Sequence, residues 1–483
     1  MPISNVEPKH LWKHFDEIRK IPHCSGNETE LGNYVLAFAK ERNLDAERDD
    51  NGNIVVRVPA TKGHENAPTV VLQGHLDMVG EKNSDVDFDF SKDPIQIEMD
   101  GEWLTAKGTT LGADNGVGLA ASLGIVDDEN AVHGPLELLF TVDEEVGLTG
   151  AGKLGSDLLK GRLLLNLDSE ELGAVYIGCS GGGDSTIFLP VKTAAVPGGE
   201  TAYSVKVAGL RGGHSGIDIH EQRGNAIQIL ARALWKAVGK AAFNLASING
   251  GNKRNAIPRE AEAIVVMKQS DADAFTAAVN AAIDEVKLEL GDVDPGLTVS
   301  VGQAQKQPGS VLHEDSRRAV LHMLIAIPHG VAAMSHAVPG LVETSNNLAT
   351  VETGSDTVTV GTSSRSSISG ALQALRDRIC AVGELAGATV EENEPYPGWV
   401  PDPNSKLLGV VKKAHTDLYG TEPEIKAIHA GLECGIIGEK YDGMEMVSFG
   451  PHIEHPHSPE ERVNVPSVEK FWQLLQKVVS DLA

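Results

Sequence analysis

The chain has 483 residues, enough for two or three domains and a sizeable buried core, and carries 41 Lys+Arg against 68 Asp+Glu. The resulting net charge of −27 opposes binding to nucleic acid phosphates or to an anionic membrane surface. A content of 41% hydrophobic and 23% charged residues is that of a folded globular protein, not a disordered one. The N-terminal stretch MPISNVEPKHLWKHFDEIRK is charged throughout and lacks the apolar segment of a signal peptide. No run approaches the ~20 apolar residues that span a bilayer. Cys24, Cys179, Cys380 and Cys434 are scattered, with no C-x-x-C pair, which argues against a zinc ribbon or a disulfide framework and for a reducing, cytoplasmic setting.

In chain order, residues around 6–20 and 28–42 carry apolar side chains at helical spacing (Leu11, Phe15, Ile18; Leu31, Val35, Phe38), predicting two amphipathic helices. Short β-branched runs follow at Asn53–Val58, Thr69–Leu72, Leu136–Val142 and Leu163–Leu167, with a helical segment at Gly116–Asp127 between two of them. That alternation predicts an α/β fold around a mainly parallel, buried sheet with helices on both faces. After about residue 187 the texture changes. Thr201–Val207, Ala261–Met267 and Leu297–Val301 read as strands, and Gly224–Val238 and Ala272–Glu289 as helices. A similar order returns as a helix at about 316–326, strands at Asn347–Glu352 and Thr357–Thr362, a helix at about 368–386 and a strand at Ala388–Glu392. Asn255-Ala-Ile and Asn347-Leu-Ala occupy similar places in the two halves on this reading. Residues 188–394 are therefore expected to form an inserted α+β domain of two similar halves. The proline-rich Glu394-Pro-Tyr-Pro-Gly-Trp-Val-Pro-Asp-Pro then makes a stiff crossing. Beyond it, helices at Ser405–Tyr419 and Ser467–Leu482 and strands at Glu424–Ala427 and Met444–Phe449 return the chain to the first domain, which is expected to comprise 1–187 and 395–483.

Several segments carry groups suited to chemistry. His75 and Asp77 follow the strand in Val70-Val-Leu-Gln-Gly-His-Leu-Asp, where an imidazole can bind a metal and a nearby carboxylate can tune it; a polar strand end is the alternative. Asp114 lies in the glycine-rich Thr109-Thr-Leu-Gly-Ala-Asp-Asn-Gly-Val-Gly at a helix start, where it could equally be a helix cap. The segment has neither a G-x-G-x-x-G order nor the lysine of a Walker motif. Asp143, Glu144 and Glu145 come directly after an apolar strand, a self-repelling cluster unless cations or solvent offset it. Asp168 follows another strand in Leu163-Leu-Leu-Asn-Leu-Asp. Four stations in a row at the carboxyl ends of strands, where open α/β sheets bind ligands, point to a shared metal site. Ser448-Phe-Gly-Pro-His-Ile-Glu-His-Pro-His offers His452, His455 or His457 as a further nitrogen ligand. Two histidines from opposite ends of the chain, with Asp114 able to bridge, would make a dinuclear zinc centre.

The set GHLDMV, GADNGVG, TVDEEVG, NLDSEE and HSPEERV, together with GGHSG, YPGW and GLECG, resembles the aminoacyl-histidine dipeptidases, carnosinase-like members of the dizinc aminopeptidase/carboxypeptidase superfamily. The resemblance covers essentially the whole chain. It implies two zinc ions per chain, one held by His75 and Asp168, the other by Glu145 and His457, with Asp114 bridging; cobalt or manganese could substitute. It also implies that Asp77 orients His75, and that Glu144 is the general base for attack of a zinc-bridging hydroxide on the peptide carbonyl. In the inserted domain, His214 of Arg211-Gly-Gly-His-Ser-Gly would stabilise the oxyanion, and Arg365 would receive the substrate carboxylate. The implied activity is hydrolysis of unblocked dipeptides, β-alanyl-histidine types included. A related tripeptidase, an N-acyl amino acid amidohydrolase and a non-catalytic metal-binding protein are the alternatives. A homodimer is compatible with this reading, closed two-fold dimers being the commonest assemblies.

Overall fold

The computed structural model of the chain describes Ile3 and residues 6–483. It divides into two compact units: Met1–Cys179 with Trp399–Ala427 and Leu432–Ala483, and Ser180–Gly398 with Ile428–Gly431.

The first unit is built on an eight-stranded sheet in the order Asp45–Arg48, Ile54–Val58, Leu136–Thr141, Val70–His75, Leu163–Asn166, Glu445–Ser448, Ala174–Cys179, Glu424–Ile428. Its four central strands are parallel, Val70–His75 pairing with Leu136–Thr141 on one side and Leu163–Asn166 on the other, and Leu163–Asn166 with Glu445–Ser448. Antiparallel pairs flank them. Every residue of Val70–His75 and Leu136–Thr141 is buried, as the unbroken apolar runs demand of strands covered on both faces. The helix Lys9–Ile18 buries Leu11, Phe15 and Ile18, and Thr29–Glu41 buries Leu31, Val35 and Phe38, the periodic positions read from the sequence; Trp12 is buried with them.

The helix Ala113–Asp127 is different. It starts before the expected Gly116 and is buried almost all round, so it has no amphipathic stripe to announce its first turn. Its small residues allow close approach: a Cβ on Gly116 would lie 3.3 Å from Phe15, and one on Gly124 would lie 3.1 Å from Trp472 and 3.2 Å from the Leu11 amide. A small antiparallel sheet, Ile453–Glu454, Arg462–Asn464, Trp103–Ala106 and Ile97–Asp100, ties the stretch before this helix to the C-terminal segment.

The second unit carries a nine-stranded antiparallel sheet. One half contributes Thr201–Ala208, Asn244–Gly250, Ala261–Met267 and Thr298–Gln303 with the helices Ala226–Ala237 and Ala272–Leu290. The other contributes Gly181–Pro190, Val342–Thr353, Thr357–Ser366 and Thr389–Glu392 with the helices Glu314–Ala326 and Ser369–Ala386. Within each half the second strand lies at one side, followed by the third, the first and the fourth, so the halves share one topology and meet where Gly250 pairs with Val351. Gly330–Met334 adds to Val342–Thr353 at this seam.

The repetition has a cause that local sequence does not carry. The first strand of the second half is Gly181–Pro190, which precedes the whole of the first half. It is paired residue for residue with Thr357–Ser366. This pairing draws the residues from Gly181 into the second unit, which begins at Ser180 rather than at 188 and runs to Gly398 rather than 394. The similar placing expected for Asn255 and Asn347 is not found: Asn347 is in mid-strand, whereas Asn255 lies in the connection after Asn244–Gly250, and Asn347 Nδ2 donates to the carbonyls of Arg254 (3.1 Å) and Ala256 (2.8 Å).

Candidate metal centre

The four parallel strands at the centre of the first unit end on the same side of the sheet, and each delivers a group there. His75 is the last residue of its strand, Glu144 and Glu145 follow Leu136–Thr141, Asp168 follows Leu163–Asn166, and His457 follows Glu445–Ser448. Asp114 is supplied by the first turn of Ala113–Asp127, where Asp114 and Asn115 depart from helical φ/ψ. Asn115 Nδ2 donates to the Leu167 carbonyl (2.8 Å), tying that turn to the strand end before Asp168.

These residues converge. His75 Nε2 lies 3.1 Å from Asp114 Oδ1 and 3.2 Å from Asp168 Oδ1. His457 Nε2 lies 3.1 Å from Asp114 Oδ2 and 3.0 Å from Glu145 Oε2. Asp114 thus turns one oxygen to each histidine. Ligand-type atoms of His75, Asp114 and Asp168 fall within 4.8 Å of one another, as do those of Asp114, Glu145 and His457, and those of His75, Glu144 and Glu145. Of the three C-terminal histidines only His457 joins the cluster, since His452 Nε2 faces Glu454 (3.2 Å). Asp143 turns away and accepts from the Gly26 amide (3.0 Å).

The electrostatics of the cluster call for cations. Burial disfavours a charged His75, yet Asp168, Asp114 and Asp77 hold its pKa well above the usual imidazole range. Hydrogen bonds to Asp114 and Glu145 raise that of His457 to about 11. Burial raises Asp168 to about 6 against the pull of His75. Glu144 is driven well above the carboxylate range, first by burial and then by Asp168, Glu433 and Glu145, with His75 opposing. Among the described residues, the buried Glu145 Oε1 has no hydrogen-bond partner. Two imidazoles set against this many carboxylates fit divalent cations of the zinc, cobalt and manganese kind.

His75 Nδ1 donates to the backbone carbonyl of Asp77 (3.0 Å), which turns Nε2 towards Asp114 and Asp168. The Asp77 carboxylate is 3.5 Å from Nδ1 and has other partners: it accepts from the Glu144 amide (3.0 Å), the Glu145 amide (3.1 Å) and Ser25 Oγ (2.8 Å). It therefore fixes the two glutamates as much as the histidine.

Groups not singled out as site residues in the sequence lie beneath the cluster. Asn166 Nδ2 donates to Gln73 Oε1 (2.6 Å), Gln73 Nε2 to Glu433 Oε2 (2.6 Å), and Thr141 Oγ1 to the same oxygen (2.7 Å). This chain of buried polar groups crosses the ends of three neighbouring strands, and burial lifts Glu433 to about 7. The only sequence sign of it is a polar residue near the end of each apolar run.

In the second unit, His214 Nδ1 accepts from the amides of Gly216 (3.2 Å) and Ile217 (3.0 Å), which leaves the proton on Nε2. Burial and the nearby Arg365 lower its pKa, so the ring is neutral. Arg365 is 8% exposed and donates from Nη1 to the Tyr396 hydroxyl (3.2 Å). His429, bonded to Ser345 Oγ (2.8 Å), is pushed down to about 3 by burial and then by Arg365 and His214.

Residues 71–481 match the family described as Peptidase family M20/M25/M40, and the chain belongs to it. It is thus a hydrolase of a metal-dependent peptidase family. Among individual proteins, it is 42% identical over 480 residues to the cytosol non-specific dipeptidase of Escherichia coli (strain K12), covering 99% of each chain. The crystal structure of aminoacylhistidine dipeptidase from Vibrio alginolyticus matches with a TM-score of 0.94 and 42% identity, covering 100% of this chain and 98% of that one. Aminopeptidase PepT from Bacillus cereus shares the fold at a TM-score of 0.59 and 17% identity, with 99% of each chain covered. No helix among the described residues is long and apolar enough to cross a membrane.

Proposed function

We propose that this chain is a cytoplasmic metallo-dipeptidase that hydrolyses unblocked dipeptides, Xaa-His among them, with two zinc ions per chain. The observation that carries the reading is Asp114, whose two carboxylate oxygens face the Nε2 atoms of His75 and His457 at 3.1 Å each. His75 and Asp168 would hold one cation, Glu145 and His457 the other, with Asp114 shared. The full-length identity to a cytosol dipeptidase and the likeness to an aminoacylhistidine dipeptidase support the substrate class.

When bound, the cations supply Lewis acidity, acidifying water and polarising the scissile carbonyl. Glu144 does the proton work. Burial raises the basicity of its carboxylate, so the side chain can take a proton from the attacking water and return it to the leaving amine. Asp77 holds the Glu144 amide and so the base in place. His214, neutral with its proton on Nε2, is a donor for the developing oxyanion, and the planar fork of Arg365 suits the substrate carboxylate.

The test is histidine release from alanyl-histidine by chelator-treated protein, before and after zinc is restored. Activity is expected to return with zinc, and Glu144→Gln is expected to keep both cations while turnover falls roughly 10²- to 10⁴-fold. Folded, zinc-loaded protein that releases no histidine would overturn the reading.

A further inference from the structure

Glu461 is a carboxylate that the chemistry above leaves without a role, although it is 2% exposed and lies four residues after His457 in the sequence. Its Oε2 accepts from the amides of Leu111 (2.7 Å) and Gly112 (3.0 Å), and its Oε1 from those of Ala113 (2.8 Å) and Asp114 (3.3 Å). Four consecutive N–H groups at the start of a helix thus close on one side chain. Gly112 makes this possible: its φ of +71° turns the chain, and a Cβ there would lie 2.8 Å from Met78 Sδ. Glu461 is itself anchored. Thr105 Oγ1 donates to its carbonyl (3.1 Å), and the next residue, Arg462, pairs with Thr105 in the small sheet.

A buried carboxylate 2% exposed needs a reason, since it adds negative charge beside Asp114. Asp114 has a short side chain, so the direction of its two oxygens is set by the backbone that carries it. Glu461 holds that backbone at the Asp114 amide itself, and it does so from the segment that carries His457. We infer that Glu461 is a positioning residue: it locks the turn that aims the shared carboxylate and keeps it in register with His457. This rests on the dinuclear reading above and adds to it the group that assembles ligands from opposite ends of the chain.

Glu137 provides the control. It is equally buried and accepts from the amides of Lys160 (2.9 Å) and Gly161 (2.9 Å), but at the far end of its strand from the cluster. Glu461→Gln keeps one acceptor oxygen and sets an NH2 against two of the four amides. Zinc titration of the metal-free proteins by calorimetry is expected to give two equivalents for the unaltered chain. In Glu461→Gln at least one equivalent should bind about 10- to 100-fold more weakly, the usual effect of losing a group that orients a ligand. Gly112→Ala strains the same turn without altering any charge and should weaken binding likewise. It decides the matter if Glu461→Gln does not fold. Glu137→Gln should lose thermal stability yet bind both cations as before. Unaltered affinity in Glu461→Gln or, failing its folding, in Gly112→Ala would overturn the inference, as would an equal loss in Glu137→Gln. An unaltered chain that binds no zinc would instead overturn the dinuclear reading.

Discussion

Replacing Asp77 by Asn separates the two tasks this residue could perform. The carboxylate is 1% exposed and accepts three hydrogen bonds: from the Glu144 amide on Oδ1, and from the Glu145 amide and Ser25 Oγ on Oδ2. Burial opposes its ionisation, but His75 and these donors outweigh it and hold the pKa below the usual value. Asn has one oxygen, so it can satisfy Oδ1 or Oδ2 but not both. At least one bond to a charged acceptor is lost, worth about 1.5–3 kcal/mol. His75 keeps its orientation, because Nδ1 donates to the Asp77 carbonyl, which the substitution leaves in place. If the lost energy appears as misplacement of the Glu144 base, kcat falls about 10- to 150-fold at 1.36 kcal/mol per decade. Steady-state release of histidine from alanyl-histidine, with bound metal measured on the same protein, tests this. A variant that retains both cations but turns over within twofold of the unaltered chain would refute the positioning of Glu144 by Asp77. A variant that loses the cation at His75 would show that the carboxylate, not the carbonyl, orients that ring.

Three further outcomes are expected. Arg365→Ala should raise the Michaelis constant for dipeptides about 10- to 100-fold with a smaller change in kcat, as loss of a charge-assisted pair with the substrate carboxylate requires, and an unchanged constant would remove Arg365 from substrate binding. Chelation should abolish histidine release, and zinc, cobalt or manganese should each restore some of it, because the ligand set mixes imidazole and carboxylate; recovery with none of them counts against the site. Acid should loosen the Lys9–Ile18 helix through His14, whose pKa burial lowers from 6.5 to about 4 despite Asp127. The unfolded chain then binds the extra proton first, so this stability is complete above pH 6.5 and is lost as pH falls towards 4, on the order of 3 kcal/mol in all. Once the intrinsic exchange rate at each pH is divided out, the opening of that helix read by hydrogen exchange should increase less between pH 7 and pH 5 in His14→Gln than in the unaltered chain, and an equal increase would refute the assignment.

Most elements were legible where one face or both faces of an element had a uniform solvent environment. Lys9–Ile18 and Ala226–Ala237 have clear apolar stripes, and Leu136–Thr141 is apolar enough to announce a strand buried on both sides. Gly181–Pro190 carries such a signal only in Ser185–Leu189, where burial alternates, and none in Gly181–Gly183. Glycine lacks a side chain to pack, so the start of this strand is extended because Ser364–Ser366 lies beside it. The start of Ala113–Asp127 was hidden for the opposite reason, being buried on every side.

By itself the sequence determined the chemistry on offer: imidazoles and carboxylates placed one after another at strand ends, at positions fixed by local periodicity and by short-range sterics. Only the tertiary structure decided which of them share a point in space. Asp114 is 39 residues from His75 and 343 from His457, and the turn that aims it is held by a side chain 347 residues away. Separations of that size leave no local periodicity to read. They become contacts only once parallel strands have stacked their carboxyl ends side by side, because burial then forces each amide and carboxylate to find its partner among whatever the fold has brought within reach.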